Sequence, residues 1–301
     1  MATTTRRFGH FAFAATLLLA VGTAAAQPPA PVAIDIPAPG IVQELELRDG
    51  SRLFGRVEHV ADDTVEFRTI AGATISVATR DIVSLRAAPG HVEGKRYVQS
   101  DSNRTRLFFG PTARSLPRGT GYVGVYEILL PFVQVGVTDR VSIGGGTPLI
   151  FASDSSHPVW FTPKVQVYKG ERVQAAVGVM HFFNIDDDGG GSLGIAYGVT
   201  TIGSDDSAIS IGAGWGYTRD DDEDGGGNAA IGMIAAERRV SPRIKFITEN
   251  YIFRDGALVA AGIRFIGDHL SADLGLAAPL GVDETFVFPM VNFVWTFGSG
   301  R

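Results

Sequence analysis

The chain contains no cysteine among its 301 residues. This absence excludes a disulfide-stabilised scaffold, a thiolate metal site and a cysteine nucleophile. A strong excess of charge of one sign is also lacking, because 26 basic and 32 acidic side chains leave a formal net charge of −6 that is spread along the chain. Nucleic-acid binding normally needs a concentrated basic surface, so we expect no nucleic-acid partner.

Long apolar runs and catalytic motifs are scarce as well. After the N-terminal segment, no stretch reaches the ~18 consecutive apolar residues of a helical membrane span. The P-loop, H-E-x-x-H and G-x-S-x-G patterns are missing, and with them the usual signatures of phosphate binding, zinc hydrolysis and serine hydrolysis. His59, His91, His157 and His181 have no metal-ligand spacing. We therefore expect no enzymatic activity, no metal and no cofactor.

Residues 1–26 have the three parts of a secretory signal peptide: a pair of arginines, an apolar run and an Ala-Ala-Ala cleavage site. The mature chain would then begin at Gln27. Residues 27–41 include PPAPVAIDIPAP, which predicts a stiff, extended linker. An exported protein follows from this interpretation.

Residues 42–86 contain short alternating runs separated by turn residues, which predict about five strands. The pattern resembles SH3-like or Sm-like small barrels. Sm-like proteins often bind RNA, but eight acidic residues against six arginines in this segment disfavour phosphate binding. We interpret the segment as a periplasmic spacer or a self-association module, followed by a linker at 87–103.

From residue 104 to residue 297 the chain is a series of alternating runs with no clear amphipathic helix. Tight turns alternate with mostly longer loops, as in outer-membrane barrels, whose short turns are periplasmic and whose longer loops are extracellular. The predicted fold class is therefore all-β: a small SH3/Sm-like barrel, then an antiparallel transmembrane β-barrel of about 12 strands, then a tail at 298–301. The N-terminal domain and both termini would be periplasmic. The twelve predicted strands lie near 104–110, 122–137, 141–150, 159–168, 172–183, 192–203, 207–217, 229–239, 243–253, 257–266, 269–278 and 286–297.

Glycine is abundant, with 38 residues and no collagen-like period. The stretch SAISIGAGWGY, residues 207–217, places bulky apolar side chains on one parity and glycine, alanine and serine on the other. In a membrane barrel the bulky parity faces lipid and the small parity faces the lumen. Trp215 and Tyr217 would then belong to an aromatic girdle. The last strand alternates in the same way, with Val291, Phe293, Trp295 and Phe297 on one parity.

The segment DSNRTRLFFGPTARSLPRGTGYVGVYEILLPFVQVGVTDRVSIGGG, residues 101–146, resembles the start of a group of uncharacterised predicted outer-membrane proteins of Gram-negative bacteria. The resemblance covers the first three predicted strands of the barrel and contains no catalytic motif. It implies an outer-membrane location and a barrel, with outer-membrane lipid and the outer-membrane assembly machinery as partners. It implies no activity.

Two glycine-rich loops on one predicted rim carry eight carboxylates. Hard cations such as Ca²⁺ bind several oxygen ligands on a flexible loop. The spacing is not the D-x-D-x-D of a calcium loop, however, and a solvated, self-repelling loop is the competing interpretation. The carboxylates are those of Asp186, Asp187, Asp188, Asp220, Asp221, Asp222, Glu223 and Asp224.

The inward parity of the later strands carries a ladder of charged side chains. Across the turn at Gly267-Asp268, we expect Arg264 opposite Ser271 and diagonal to His269 and Asp273. Such a ladder either fills a narrow lumen with salt bridges or lines a pore and sets its ion preference. Both interpretations remain open. The ladder consists of Lys245, Glu249, Arg264 and Asp273.

Three functions are compatible with these patterns. The first is a passive pore or a structural envelope protein. The second is an outer-membrane lipid-modifying enzyme, because His269 and Ser271 form a His-x-Ser arrangement similar to that of outer-membrane lipid A deacylases. The third is a soluble, secreted β-sandwich binding protein, against which the alternating loop lengths count. Self-association through residues 42–86 is an additional possibility.

Overall fold

The computed structural model describes residues 41–88, 90–149, 158–184, 192–219, 228–281 and 286–298. The predicted signal peptide, almost all of the predicted linker at 27–41 and the eight loop carboxylates lie outside these ranges. Among the described residues, no helix combines the length and the apolar character needed to cross a membrane. The strands are β1 (Gln43–Leu47), β2 (Arg52–Ala61), β3 (Thr64–Thr69), β4 (Thr74–Ala78), β5 (Ile82–Ala87), β6 (Gly90–Glu93), β7 (Arg96–Gln99), β8 (Gly121–Tyr126), β9 (Leu130–Gly136), β10 (Val141–Gly146), β11 (Pro158–Phe161), β12 (Lys164–Lys169), β13 (Val173–Asn184), β14 (Ser192–Gly203), β15 (Ser207–Arg219), β16 (Ala229–Ser241), β17 (Ile244–Phe253), β18 (Gly256–Ile266), β19 (Leu270–Leu280) and β20 (Phe288–Phe297).

The first five strands form one antiparallel sheet in the order β4-β3-β2-β1-β5. A short 3₁₀ turn, Thr79–Asp81, connects β4 to β5. Alternate side chains meet in a small core formed by Leu45, Val65, Phe67, Val77 and Ile82. The segment predicted as a linker at 87–103 contains a hairpin instead, because β6 and β7 pair across the turn at Gly94.

The remaining strands form a closed antiparallel barrel of twelve strands when β11 and β12 are counted as one. This confirms the predicted fold class for this part of the chain. The ring closes where the last strand, β20, pairs with the first, β8, from Asn292 opposite Tyr126 to Phe297 opposite Gly121. The segments β11 and β12 are two halves of one barrel strand, since both pair with β10 and with β13 in the same register. The break falls at Pro163, which has no N–H to give to a ladder.

Two strand predictions are wrong, and the errors cancel in the total. Residues 104–110 do not join the sheet. The predicted strand at 122–137 is two strands, because β8 and β9 are joined by a tight turn at residues 127–129. Glu127 and Ile128 adopt φ values of 48° and 64° there, a conformation that normally calls for glycine or asparagine, so the sequence lacks the usual turn signal.

Successive side chains along the barrel strands point alternately inward and outward, which separates a small or polar inner face from an apolar outer face. On β15, Ala208 and Ser210 are buried, whereas Ile209, Ile211 and Trp215 are about half exposed. Tyr217 lies near the opposite end from the β14–β15 turn, with its hydroxyl 3.0 Å from Nδ1 of His181. Exposed apolar side chains recur around the ring, including Val123, Val133, Ile143, Val165, Val177, Ile202, Ile234, Phe246, Ile252, Phe265, Leu274, Phe293, Trp295 and Phe297.

The N-terminal sheet and hairpin contact the rim of the barrel that carries the short turns. Arg52 in β2 donates to the carboxylate of Asp268 at 3.1 Å, and His91 in β6 lies 3.2 Å from the carboxylate of Asp206. Tyr97 in the hairpin stacks on Phe54, with ring centroids 4.1 Å apart. Burial, reinforced by nearby Glu44, raises the pKa of Tyr97 to about 12. Both ends of the barrel, at residues 121 and 297, lie on this same rim.

Candidate functional site

Residues 101–116, called the plug below, lie inside the barrel and not in its wall. The main chain reverses direction between Arg106 and Pro111, which form an isolated β-bridge. At the tip of this loop Leu107 and Phe108 are fully buried. The segment was predicted as a strand, but here Leu107 and Phe108 are buried inside the barrel, and Phe109 stays partly exposed.

The wall holds the plug through the charged ladder, beginning with a pair of facing side chains. Arg264 on β18 lies directly opposite Asp273 on β19, and its Nε and Nη2 donate to the two carboxylate oxygens at 2.6 and 3.1 Å. The expectation that Arg264 faces Ser271 is wrong by two residues. Four residues, and not two, separate the paired ends Ile266 and Ser271, which shifts the register.

Arg264 also contacts the plug itself. Its Nη1 donates to the carboxylate of Asp101 at 3.2 Å and to the carbonyl of Asn103 at 3.0 Å, and Nη2 donates to the carbonyl of Leu107 at 2.6 Å. Arg106 of the plug reaches back and donates to Asp273 at 2.8 Å. A fully buried guanidinium is tolerated only when its charge and its donors are matched in this way.

A second ion cluster lies beside the first. Lys245 on β17 is fully buried, and its Nζ lies 2.8 Å from the carboxylate of Asp101 and 3.0 Å from that of Glu237 on β16. Glu237 in turn accepts a hydrogen bond from Arg114 of the plug. The two clusters share Asp101, so four wall strands and both ends of the plug are joined electrostatically.

Glu249, the fourth member of the ladder, caps the tip of the plug. Its carboxylate accepts hydrogen bonds from the backbone N–H groups of Phe108, Phe109 and Gly110 at 2.6, 3.1 and 2.7 Å. It also accepts from the hydroxyl of Tyr251 at 2.6 Å. Three adjacent N–H groups converging on one carboxylate fix the turn and satisfy donors that would otherwise be buried without partners.

Wall side chains on the other side of the barrel satisfy the carbonyls of the plug. Nζ of Lys164 on β12 donates to the carbonyls of Thr105, Thr112 and Arg114 at 3.1, 3.1 and 2.7 Å. Gln166 on the same strand donates to the carbonyl of Ala113 at 2.8 Å. The plug therefore takes its hydrogen bonds from side chains of the wall and not from a neighbouring strand.

An apolar core surrounds these polar contacts. Leu107, Phe108 and Ala113 of the plug form one buried cluster with inward side chains of the wall, and Leu116 joins a second. The wall members of these clusters are Ala176, Val199, Met233, Ala235, Ile247, Ala260 and Ala277 in the first, and Tyr122, Tyr126, Phe132, Trp160 and Val294 in the second. The small inward-facing residues of the barrel strands leave the space that the plug fills.

No protein family and no curated protein sequence matches the chain. Among solved structures, the chain is similar to a NanC porin at 9% identity and a TM-score of 0.43, over 60% of this chain and 100% of that one. It is also similar to an OmpT loop-deletion mutant, an outer membrane protein of Vibrio cholerae, at 12% identity and a TM-score of 0.37, over 85% and 96%. At these identities the likeness concerns the fold alone.

The two residues considered for catalysis have different surroundings. The ring of His269 stacks on the outward-facing Trp295, with centroids 5.5 Å apart. Ser271 faces the lumen, where its hydroxyl is buried without a hydrogen-bond partner. The His-x-Ser arrangement that was considered as an alternative therefore has no hydrogen bond between its base and its hydroxyl. Within the described ranges there is also no group of three or more side chains suited to a metal ion.

Sequence patterns found four wall residues of this site but missed two others and all of the plug. Alternation identified Lys245, Glu249, Arg264 and Asp273, because each lies on a regular strand. It missed the partners, which lie in an irregular segment or on strands of ambiguous parity. The available signal was an unusual density of charge next to the apolar run LFFG. The missed residues are Asp101, Arg106, Arg114, Lys164 and Glu237.

Proposed function

We propose that the chain is an outer-membrane β-barrel protein whose lumen is closed by its own plug, and that it serves as a structural envelope protein and not as a passive open pore. The single observation that carries the closed state is the plug itself. Its charged and apolar side chains pair with the wall on several strands, and we expect these contacts to block the passage of water where the ladder lies.

The outer face supports the membrane location. In lipid, the outward parity of a barrel must be apolar around the whole ring, with aromatic side chains toward the interfaces. The exposed side chains of the barrel strands follow this pattern, with Trp215 toward one rim and Trp295 toward the other. A soluble sandwich would leave this much apolar surface in water, which is strongly unfavourable.

The two rims support a proposal for the orientation. Outer-membrane barrels carry short turns on the periplasmic side, and the short-turn rim here also carries both barrel ends and the N-terminal sheet. We therefore propose that the N-terminal sheet is periplasmic, after export directed by residues 1–26.

The proposal is tested by conductance across a planar lipid bilayer. The protein is purified from the outer-membrane fraction, and its barrel is verified by a difference in gel migration between unheated and boiled samples. We expect no stable unitary current from the natural sequence. A matched variant in which residues 105–112 are replaced by a glycine-serine linker of equal length is expected to conduct, provided that it still shows the heat-dependent migration.

Steady current from the natural sequence would show that the lumen is open and would restore the passive pore. Recovery of the protein only from the periplasm, without heat-dependent migration, would refute the membrane location itself.

A further inference from the structure

A small cavity of about 60 Å³ lies between the plug and the side of the barrel opposite the ion clusters. The plug contributes Arg106 to its lining. The wall contributes one basic side chain, Lys164, and five aromatic ones, Tyr122, Tyr126, Phe132, Trp160 and Tyr197. The volume is enough for a molecule of two to four heavy atoms, since one water needs on the order of 10–15 Å³.

Arg106 has one edge of its guanidinium without a partner. Its Nη1 donates to Asp273 and to the carbonyls of Leu107 and Phe108, each within 2.9 Å. Nε and Nη2, on the other edge, are buried and have no hydrogen-bond partner. The side chain is only 3% exposed, so solvent at the surface does not satisfy these donors.

This edge has the geometry that binds an oxyanion. Nε–H and Nη2–H of an arginine point in parallel and form two hydrogen bonds to the two oxygens of one carboxylate. Leaving such donors unpaired in a buried site costs free energy, and each case calls for an explanation. The rings of Tyr126 and Phe132 lie 5.6 and 5.9 Å from the guanidinium carbon and attract its charge, but they accept no such pair of hydrogen bonds.

The charges buried in the barrel also favour an anion. Five buried basic side chains, Arg106, Arg114, Lys164, Lys245 and Arg264, face four buried acidic ones, Asp101, Glu237, Glu249 and Asp273, and the partly exposed Asp205 pairs with Arg114 at 3.4 Å. Lys164 is the cation whose Nζ contacts only carbonyl oxygens. Lys164 is therefore a buried basic group without a carboxylate partner in the lining of the cavity, where a bound anion would supply a counter-charge.

We propose that this cavity binds a small carboxylate of the size of acetate. Its two oxygens accept hydrogen bonds from Nε and Nη2 of Arg106, Lys164 supplies the second positive charge, and the short apolar end packs against Tyr126, Phe132 and Trp160. The cavity is too small for a drug-sized or sugar-sized ligand. The site depends on the barrel and the plug, and not on the location proposed above.

Trp160 provides a direct reporter. The chain has three tryptophans, and the other two, Trp215 and Trp295, lie on the outer face. The double variant W215F/W295F leaves Trp160 as the only tryptophan. In detergent, its fluorescence is titrated with sodium acetate, with sodium phosphate and with sodium chloride at matched ionic strength. We expect a saturable change with acetate and none with chloride.

Two substitutions in this background locate the ligand. Arg106→Lys keeps the positive charge but removes the paired donors, and we expect acetate binding to weaken at least tenfold. Arg239→Lys is the matched control: Arg239 is also largely buried and has an unpaired Nη2, but it binds Asp206 at the short-turn rim. It should leave acetate binding unchanged. Heat-dependent gel migration verifies the fold of each variant.

The proposal fails if acetate and chloride give the same response, or if Arg106→Lys folds and binds acetate as tightly as its parent. A response to phosphate without one to acetate would refute the carboxylate and leave an oxyanion of different shape. If Arg106→Lys does not fold, Lys164→Met takes its place, and unchanged acetate affinity in that variant would overturn the proposal.

Discussion

Arg264 donates six hydrogen bonds, two to Asp273 in the wall and four to the plug, where it contacts the carboxylate of Asp101 and three carbonyls. The burial of a guanidinium is unfavourable by itself, and pairing offsets the loss of water only while every partner stays in place. The stability of the barrel therefore depends on this residue more than its single charge suggests.

Replacement of Arg264 by methionine should destabilise the barrel by about 3–5 kcal/mol, because Asp101 loses one cation and Asp273 loses its closest one. Urea unfolding in lipid vesicles, followed by tryptophan fluorescence, measures the loss. The control is Arg243→Met, since Arg243 is exposed and lies 3.8 Å from Asp268 at the rim. Equal effects of the two substitutions would contradict the role given to Arg264.

Neighbouring side chains approach Gly110, at the tip of the plug, so closely that they leave no room for a larger residue. A Cβ at this position would lie 2.4 Å from the Tyr251 hydroxyl and 3.1 Å from Oε1 of Glu249. Gly110→Ala should therefore displace the tip and cost about 1–3 kcal/mol. The double variant Gly110→Ala/Tyr251→Phe should recover part of the loss, because the clashing oxygen is gone. Gly198→Ala, where a Cβ meets no atom within 4 Å, should be neutral, and a similar loss there would argue against the clash.

Strand β16 tests which face meets lipid. Ile234, near its middle, and Val240, near its short-turn end, both point outward. Arginine at the bilayer midplane of a barrel costs about 2–4 kcal/mol, and this falls to about 0–1 near the interface. We expect Ile234→Arg to show the larger loss in urea unfolding from lipid vesicles. Equal losses would mean that this face does not follow the depth of a bilayer.

A substitution in the turn between β8 and β9 should stabilise the protein. Ile128 is exposed and β-branched, yet its φ is 64°, a left-handed conformation that costs about 1–2 kcal/mol in an L-residue other than glycine. Ile128→Gly should therefore raise the free energy of unfolding by about 1 kcal/mol, measured in the same urea assay. Leu129→Gly, next to it and outside the left-handed region, should not stabilise the protein.

The elements that the sequence predicts well are those with an uninterrupted two-residue period. The eight strands from β13 to β20 lie close to their predicted positions because lipid on one side and a packed lumen on the other impose opposite demands on successive residues. Residues 104–110 break this reasoning, since apolar residues of the plug are buried without belonging to the sheet. The turn at 127–129 breaks it as well, because nothing in its composition marks a reversal.

At the scale of the whole molecule, the plug could not be predicted from local pattern. Its partners lie 141 residues away at Glu249, 144 at Lys245 and 167 at Asp273, and periodicity carries no information on such pairs. The ladder showed that the lumen holds charge, but not that the chain supplies its own counter-charges. Self-association through residues 42–86 stays a prediction, as does the role of the loop carboxylates.

Because β20 pairs with β8, we expect the barrel to behave as a single cooperative unit. The plug precedes β8, whereas its partners Arg264, Asp273 and Asn292 lie on β18, β19 and β20, the strands that complete the ring. The seam can close correctly only when these strands have arranged themselves around the plug, and the plug loses its partners as soon as they separate. We therefore expect the filling of the lumen and the closing of the ring to be coupled in folding, because the last three strands and the plug need each other's contacts.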